Sequence, residues 1–415
     1  MVQKRKLSCP ESYTIAWIAA LPIERAAAIA LLDERHDEPE GFDQHSKDDN
    51  AYDWGKVGQH NVVIASLPAG LFGTASAAIT GSHLLSSLPH IKIGLLVGIG
   101  GGIPRPGRDI RLGDVVVSQP NGKCGGVVQY DFGKAKADST WERKGSFNMP
   151  PTVLLSALAK LQAEHELEDS QTGKILETMI TKFPRMKTQY SFQGVDNDIL
   201  FPSTFKHSGG DTCDLCGLSE QVVREKREST DPVVHYGLIA SGNTLVNDAD
   251  TRENIFKLAE EECLCVETVA AGLANTFPCL VIRGISDYAD SHKNDRWQRY
   301  ASATAAAFAV ELLKYVPVRQ LQAAPRAVEL MERANQNIIE PNETAKAAHT
   351  DYVVRSLPIS QGAAYGSTSN ELESMSLDDT RVDVLQRIHD WAQNSGSPTL
   401  FWLEGKAGTG KSTIS

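Results

Sequence analysis

Short apolar runs alternate with longer stretches of helical periodicity through most of the chain. The apolar runs predict strands at residues 14–19, 62–66, 93–97, 114–118, 237–240 and 280–283. Apolar residues that recur every three or four positions predict helices at residues 74–86, 151–163, 252–262, 267–275 and 300–315. Strands that alternate with helices in this way are typical of an α/β domain whose central sheet is mostly parallel or mixed.

The pattern then changes towards the end of the chain. Residues 317–378 are rich in Ala, Gln, Asn, Ser and Gly, and we expect a linker that is partly helical or disordered. An amphipathic helix is predicted at residues 381–393, and an apolar strand at residues 399–403. We therefore expect a first domain at residues 1–316, followed by the linker and by the N-terminal fragment of a second domain at residues 379–415.

A glycine-rich loop follows the last predicted strand. It reads GKAGTGKS and matches the pattern G-x-x-x-x-G-K-[ST], whose fixed positions are Gly405, Gly410, Lys411 and Ser412. Glycines let backbone N–H groups turn towards phosphates, the lysine reaches the terminal phosphates, and the serine ligates Mg²⁺. Only three residues follow the loop. We therefore expect the start of a P-loop NTPase domain, which binds Mg-ATP only when the domain is completed. Any complete catalytic site is expected upstream of this loop.

Composition and charge narrow the classes of function and partner. The 415 residues carry a formal net charge of -11, which gives no basic surface for nucleic acid. The seven cysteines are odd in number and scattered, as is typical of reduced thiols in the cytoplasm. No unbroken apolar stretch reaches the roughly 20 residues that a membrane-spanning helix needs. We therefore expect a cytoplasmic protein without nucleic-acid or membrane partners.

One cysteine pair is similar to half of a zinc site. Cys213 and Cys216 form a C-x-x-C motif, and His207 lies shortly before it. These three residues fall one ligand short of tetrahedral zinc, so an ordinary surface loop is the favoured interpretation. The sequence therefore predicts no metal and no other cofactor for the first domain.

Polar residues suited to chemistry follow several of the predicted strands. Glu24 comes shortly after the first strand, the glycine run 98–102 follows the third, Asn243 follows the fifth, and Ser286 and Asp287 follow the sixth. Ligands of open α/β sheets bind beyond the carboxyl ends of the strands, so these residues are expected to lie close together. Each one alone also fits a structural role, as a helix-start acid, a turn glycine or a helix cap.

Several longer motifs accompany these residues in a fixed order. Residues 98–104 read GIGGGIP, residues 109–118 read DIRLGDVVVS, and residues 265–272 read CVETVAAG. Together with the segments around Glu24 and Asp287, they resemble the nucleoside phosphorylase and nucleosidase superfamily, which includes the MTA/SAH nucleosidases. The resemblance implies a three-layer phosphorylase/hydrolase-like fold with a central mixed sheet flanked by helices.

Two further motifs narrow the resemblance. Residues 125–133 (GGVVQYDFG) and 290–297 (DSHKNDRW) resemble the version of this domain found at the N-terminus of fungal NOD-like receptors. Residues 381–415 resemble the opening of the NACHT-type NTPase that follows it in those receptors. The resemblance implies an effector domain of an innate-immunity-like receptor. It also implies a homo-oligomer, since family members assemble as dimers, trimers or hexamers.

The resemblance assigns individual residues to the cleavage of a purine N-glycosidic bond. By resemblance, Asp287 is the acid that protonates the purine and Glu24 is the base that activates water. Glu267 falls on the first glutamate of the family's E-x-E pair, which accepts bonds from ribose hydroxyls. Further contributions to substrate binding are expected from Gly98, Asn243 and Ser286.

Two departures from the family pattern bear on the reaction. The phosphorylases carry Arg-x-Gly-Ser at the end of the third strand to bind phosphate, whereas residues 96–99 here read LVGI. Without that clamp hydrolysis is favoured, and a purine nucleoside phosphorylase remains an alternative. Val269 stands where the second ribose-binding glutamate is expected. A catalytically silent nucleoside-sensing module that regulates the NTPase is therefore a further alternative.

A group of basic residues is expected to contact the 5′ end of the substrate. For any single one of them, a solvated surface position is the alternative interpretation. The resemblance alone implies an adenine nucleotide or nucleoside, and basic residues that face 5′-phosphates favour a nucleotide, for example ATP cleaved to adenine and ribose 5′-triphosphate. The residues that we hypothesise to face 5′-phosphates are Lys293, Arg296, His292, Arg299, Arg105 and Arg108.

Overall fold

Residues 5–332 of the chain, and Asp390, are described by a computed structural model, with gaps at 136–140, 144, 146, 211–212 and 260–261. The chain divides into two compact units, Met1–Gln336 and Asn337–Ser415. The P-loop positions and most of the predicted linker lie outside the described residues. Their predicted roles stay predictions.

Twelve strands and eight α-helices are defined within the described residues, all in the first unit. The strands are β1 (Ile15–Ala19), β2 (Glu34–His36), β3 (Asp53–Val57), β4 (His60–Ser66), β5 (Ile93–Gly102), β6 (Val115–Ser118), β7 (Val127–Gln129), β8 (Gly133–Ala135), β9 (Trp141–Arg143), β10 (Val234–Ser241), β11 (Cys263–Glu267) and β12 (Cys279–Asp287). The helices are α1 (Pro22–Ala30), α2 (Thr74–Ser87), α3 (Thr152–His165), α4 (Thr172–Lys182), α5 (Ala249–Leu258), α6 (Ala270–Leu273), α7 (Gln298–Leu313) and α8 (Val318–Ala323).

A single mixed sheet contains all the strands except β8 and β9. Its order is β11-β10-β6-β12-β5-β1-β4-β3-β2, with β7 paired to β10. The long strand β5 also pairs antiparallel with β11, through Gly101 with Val266 and Gly102 with Cys265. Strands β5, β12, β6, β10 and β11 therefore close into a ring. This closure brings the ends of β11 and β12 next to the end of β5.

Helix α7 is the centre of a helical layer on this sheet. It contacts β5, β6 and β12, and it also contacts α1, α3 and α4. Its residues from Tyr300 to Leu313 are buried, and many of them are alanines, which keep the helix thin. Gly284 of β12 completes the fit, because a Cβ there would lie 1.9 Å from the carbonyl oxygen of Ala301. Helix α2 packs against α6 and β4. The predicted α/β fold with a central mixed sheet flanked by helices is confirmed.

One predicted element is wrong in a way that matters for the site. The helix predicted at residues 267–275 is only the short helix α6, and the strand β11, which the sequence did not predict, ends at Glu267 just before it. The strand reads Cys-Leu-Cys-Val-Glu and is buried throughout, because cysteine behaves as a small apolar residue. The helix predicted at residues 252–262 also ends earlier, at Leu258. Glu267 therefore ends a strand and does not begin a helix.

The described structure continues past the predicted domain boundary at residue 316. Leu321 of α8 is buried, and the N–H group of Ala327 donates to the carbonyl oxygen of Ile91 at 2.7 Å. Lys92 Nζ donates to the carbonyl oxygen of Ala324 at 2.6 Å. The first part of the predicted linker therefore packs on the first unit. Among the described helices, none combines the length and the apolar character needed to cross a bilayer.

Candidate active site

A pocket of about 590 Å³ lies where β5, β11 and β12 end. Glu24, Glu267 and Asp287 line it, together with Ser286 and Lys293. Closure of the strand ring explains how the ends of β11 and β12 meet. Helix α1 begins soon after β1 and presents Glu24 in its first turn. The structure therefore brings together the three carboxylates that the sequence predicted at the centre of the site.

Backbone N–H groups hold Glu24 at the start of α1. Its Oε2 accepts from the N–H groups of Ala20 at 2.6 Å and Leu21 at 2.8 Å, and its Oε1 accepts from that of Ile99 at 2.8 Å. Only 3% of the residue is exposed. Burial raises the pKa of Glu24, and this effect outweighs the opposing effects of Arg283 and of the three N–H donors. A carboxyl group with a raised pKa is suited to proton transfer nearer to neutral pH.

Arg283 is a pocket residue that the sequence reasoning missed. It lies on β12, and its Nη2 donates to Glu267 Oε2 in a buried ion pair. The same guanidinium acts on Glu24, where it favours the ionised carboxylate. The available signal was an arginine inside the otherwise apolar run LVIRGIS, because a buried arginine needs carboxylate partners.

Glycines of β5 let these charged groups approach the backbone. A Cβ on Gly98 would lie 2.4 Å from both Glu24 Oε1 and Arg283 Nη1. A Cβ on Gly101 would lie 2.9 Å from Asp287 Oδ1. Gly98 was predicted to contribute to substrate binding, and the structure shows that it makes room for Glu24 and Arg283.

The carboxylate of Asp287 is fixed by its close neighbours in the chain. Its Oδ2 accepts from the Ser286 hydroxyl at 2.8 Å, and its Oδ1 accepts from the N–H group of Ala289 at 2.9 Å. Ala289 has a φ of 51°, a left-handed conformation that no other described non-glycine residue adopts. Lys293 Nζ lies 3.3 Å from Oδ2. The carboxylate therefore has a defined orientation and an ammonium group beside it.

Glu267 ends β11 and caps the short helix α6. Its carboxylate accepts from the N–H group of Val269 at 3.0 Å and from that of Ala270 at 3.1 Å, in addition to Arg283. Val269 itself is buried and lines the pocket with an apolar side chain. As the sequence predicted, a single carboxylate stands at this position, and its orientation is fixed.

Comparisons with known proteins bear directly on the resemblance seen in the sequence. The chain is 43% identical over 324 residues to a nucleotide-binding leucine-rich repeat (NLR)-like protein of Hyaloscypha variabilis. It is 33% identical over 92 residues to the ATP nucleosidase Cap17 of Escherichia coli. The predicted resemblance to a nucleosidase-like domain of an NLR-like protein is confirmed.

These matches cover different shares of each protein. The match to the fungal relative spans 77% of this chain and 31% of the relative, and the match to Cap17 spans 21% and 18%. Among solved structures, the 5′-methylthioadenosine/S-adenosylhomocysteine nucleosidase of Neisseria meningitidis, in complex with methylthio-immucillin-A, is 17% identical with a TM-score of 0.46. That comparison covers 72% of this chain and 98% of the other. No protein-family model matches the chain.

Asn243, in the first unit (Met1–Gln336), here called the nucleosidase-like domain, lies beside the pocket and does not line it. Its Oδ1 accepts from the N–H group of Thr74 at 3.1 Å and from the Thr74 hydroxyl at 2.8 Å. Its own N–H group donates to Asp131 Oδ2 at 2.7 Å. Asn243 therefore ties the start of α2 to the loop that follows β10. The next residues of that loop, from Thr244 to Asn247, do line the pocket.

The basic residues predicted to face 5′-phosphates do not lie together in the nucleosidase-like domain. Arg296 lines a neighbouring cavity of about 300 Å³. Arg105 forms a two-bond ion pair with Glu253 at 2.7 and 3.0 Å, away from the pocket. Arg108 lies outside the pocket as well. Of the predicted basic group, Lys293 alone belongs to the described lining of the active-site pocket.

Proposed function

We propose that the nucleosidase-like domain is an N-glycosyl hydrolase that releases a purine base from a nucleoside or nucleotide. The observation that carries this proposal is the convergence of two buried carboxyl groups, Glu24 and Asp287, on one pocket. Cleavage of the N-glycosidic bond builds positive charge on the sugar and negative charge on the departing base. One carboxyl group that protonates the base and another that activates water meet both demands.

Asp287 is proposed to protonate the purine as the bond breaks. The Ser286 hydroxyl and the N–H group of Ala289 both donate to its carboxylate. The orientation of the carboxylate is therefore fixed before the substrate binds. Lys293 places a positive charge 3.3 Å from Oδ2. This charge stabilises the carboxylate that remains once the proton has left.

Glu24 is proposed to take a proton from the attacking water. Burial raises its pKa, which makes the ionised form a stronger base than an exposed glutamate. Its oxygens accept three N–H bonds in total and keep further lone-pair capacity for a water molecule. The base is therefore held in place by the start of α1 and by β5.

The charge of the pocket favours hydrolysis over phosphorolysis. The described lining contains five carboxylates and two cationic side chains. Both cations are paired, Arg283 with Glu267 and Lys293 with Asp287. An attacking phosphate dianion meets repulsion in such a pocket, whereas a water molecule does not. The same negative charge stabilises a cationic sugar in the transition state.

An adenine nucleotide is the proposed substrate, with ATP as the first to be tested. The activity named for the bacterial relative, an ATP nucleosidase, supports this proposal. The position of Lys293 supports it too, because its side chain lines the pocket and is 24% exposed. The proposal therefore places the 5′-phosphates at the exposed part of Lys293, away from the carboxylates that would repel an attacking phosphate.

Replacement of Lys293 by alanine tests the nucleotide assignment. We expect kcat/KM for ATP to fall about tenfold more than kcat/KM for adenosine, because only ATP loses a charge-assisted contact at its phosphates. Effects on Asp287 cancel in this ratio, since both substrates need the acid. The exposed Lys257 provides the control substitution, Lys257→Ala. An unchanged ratio in Lys293→Ala would refute the nucleotide assignment and leave the hydrolase proposal standing.

Release of free base tests the hydrolase proposal itself. The purified chain is incubated with ATP, adenosine and guanosine, with and without phosphate, and the products are separated by chromatography. Free base without phosphate is the expected result. Base release that requires phosphate identifies a phosphorylase, and no release from any substrate identifies the silent sensing module. Asp287→Asn is expected to slow release by about 10²- to 10⁴-fold, whereas Asp43→Asn, at an exposed aspartate, keeps the full rate.

We further propose that the domain is the effector of an NLR-like receptor in the cytoplasm. The fungal relative supports this proposal, because it is an NLR-like protein and the match spans 77% of this chain. The predicted P-loop at residues 405–412 is the part that would couple nucleotide binding to assembly. A homo-oligomer is part of the same proposal. Base release from ATP would then deplete the energy supply of the cell once the receptor is activated.

A further inference from the structure

A second cluster of reactive side chains lies beside the active-site pocket. Ligand-type atoms of His207, Cys216 and His292 lie within 4.8 Å of one another. Cys213 joins them, since its Sγ lies 3.9 Å from His207 Nδ1. These four residues, called here the Cys/His cluster, come from two distant parts of the chain. Their side chains are all of the types that bind soft or borderline metal ions.

The hydrogen bonds of His207 leave one ring nitrogen available to the sulfur atoms. Its Nε2 lies 3.0 Å from the carbonyl oxygen of Gly210, which can only accept, so Nε2 carries the proton. Nδ1 therefore keeps its lone pair and faces Cys216 Sγ at 3.2 Å and Cys213 Sγ at 3.9 Å. A cation can bind this nitrogen together with both sulfur atoms. A carbonyl partner on the second nitrogen is also usual for metal-binding histidines.

His292 completes the cluster from the loop that follows Asp287. Its side chain is 6% exposed, and neither ring nitrogen has a hydrogen-bond partner among the described residues. The ring stacks on Phe201 with 4.1 Å between centroids, which fixes its plane. Asp290 Oδ1 lies 3.6 Å from Nδ1, on the side from which a carboxylate supports a histidine that binds metal through Nε2.

We propose that His207, Cys213, Cys216 and His292 bind a structural zinc ion. Two thiolates and two imidazoles form one of the usual tetrahedral zinc sites, with bonds of about 2.3 Å to sulfur and about 2.0 Å to nitrogen. Tetrahedral geometry with these bonds separates a nitrogen from a sulfur ligand by about 3.5 Å. The observed separations of 3.2 and 3.9 Å lie on either side of this value. The C-x-x-C motif with His207 is one ligand short in the sequence, and the fold supplies His292.

The zinc site would join the segment at 207–216 to the wall of the active-site pocket. The N–H group of His207 donates to the Ser291 hydroxyl at 3.1 Å, and Cys213 Sγ lies 4.0 Å from the carbonyl oxygen of His292. Ser291 and Lys293, on either side of His292, both line the pocket. The metal is therefore assigned a positioning role and no step of the reaction.

Metal analysis of the purified full chain tests the site without relying on the proposed hydrolase. After growth with added zinc and dialysis against metal-free buffer, we expect about one zinc per chain. Cys216→Ser and His292→Ala are expected to retain less than about a tenth of this zinc, because a tetrahedral site does not tolerate the loss of a ligand. Cys9→Ser, at a partly buried cysteine outside the cluster, serves as the control. No zinc in the wild type, or equal zinc in all variants, would overturn the proposal.

Cobalt substitution gives a second test that needs no variant to fold. The wild-type chain is stripped of zinc and titrated with cobalt(II), and the visible spectrum is recorded. We expect the strong bands of a tetrahedral ion together with thiolate-to-cobalt charge transfer. Only weak absorption, as from an octahedral ion without thiolates, would contradict the assignment. A disulfide between Cys213 and Cys216 in chain purified without oxygen would contradict it as well.

Discussion

Glu24 and Asp287 line the same pocket in different surroundings. Glu24 is surrounded by backbone N–H groups and buried enough for its pKa to rise. Asp287 accepts from a hydroxyl and an N–H group and has the ammonium group of Lys293 beside it. We propose different roles for the two groups, base for Glu24 and acid for Asp287.

The raised pKa of Glu24 predicts how the reaction depends on pH. Only the ionised carboxylate accepts a proton, so kcat/KM should fall as the pH drops through this pKa, with a midpoint above the ordinary value of 4.5. Glu24→Gln should lower kcat by about 10²- to 10⁴-fold and remove this acid limb. The measurement is kcat/KM from roughly pH 4 to pH 8. Glu38→Gln, at an exposed glutamate, should keep the wild-type profile. An unchanged acid limb in Glu24→Gln would show that another group is the base.

At the scale of the element, β12 serves both the packing and the site. Gly284 allows α7 to approach the strand, and Arg283 and Asp287 reach the pocket from the same strand. The close contact between Gly284 and the backbone of Ala301 fixes the distance between helix and sheet. A change at Gly284 therefore acts on stability before it acts on chemistry.

Gly284→Ala is predicted to destabilise the fold. The new methyl group would meet the carbonyl oxygen of Ala301 at 1.9 Å, a backbone atom that cannot move without shifting α7. Overpacking of this kind costs about 2 kcal/mol or more, measured as a change in the free energy of unfolding by urea. The control is Gly217→Ala, where the added Cβ would meet ordinary contacts at 3.6 Å or beyond. Equal stability of the two variants would mean that the contact at Gly284 is not tight.

The turn before β6 is a second element that depends on one buried carboxylate. Asp114 accepts from Arg227 at 2.7 and 2.8 Å and from His235 Nε2 at 2.9 Å. Burial alone would raise the pKa of Asp114, but Arg227 and His235 outweigh burial and hold it below the ordinary value of 3.8. The ionised carboxylate therefore stabilises the folded state.

The lowered pKa of Asp114 predicts a loss of stability in acid. Because the folded pKa lies below the unfolded value of about 3.9, the contribution is complete above that pH. It is lost as the pH falls through the folded pKa. Asp114→Asn should therefore cost about 3 kcal/mol at neutral pH and progressively less in acid. Urea unfolding of both proteins across this pH range measures the difference. A cost that stays constant with pH would rule out the ionised pair as its source.

At the scale of the whole molecule, the sequence predicted the layers of the fold better than the closure of the sheet. Alternating apolar runs located β1, β4, β5, β6, β10 and β12, because buried strands are recognisable locally. The pairing of β5 with β11 joins residues far apart in the sequence, and no local pattern marks it. That pairing is also what places Glu267 beside Glu24 and Asp287.

The site, like the fold, was predicted where a local pattern in the sequence marks the residues. Glu24, Glu267 and Asp287 stand in motifs, so their positions in one pocket could be expected from the sequence. Arg283 stands in no motif; its place in an apolar run indicates a buried carboxylate partner, and only the structure identifies that partner as Glu267. The basic residues predicted to face 5′-phosphates do not all lie in one pocket. The sequence does not specify the direction of a side chain, and that of Arg296 lines a neighbouring cavity.

The most direct test of the account follows oxygen from water into the sugar. The purified chain is incubated with ATP in water enriched in heavy oxygen, without phosphate, and the products are examined by mass spectrometry. Hydrolysis at the N-glycosidic bond predicts free adenine without label and a ribose 5′-triphosphate that carries one heavy oxygen. It also predicts that Glu24→Gln and Asp287→Asn form both products about 10²- to 10⁴-fold more slowly. ATP that stays intact, or a sugar product whose formation requires added phosphate, would contradict the central claim.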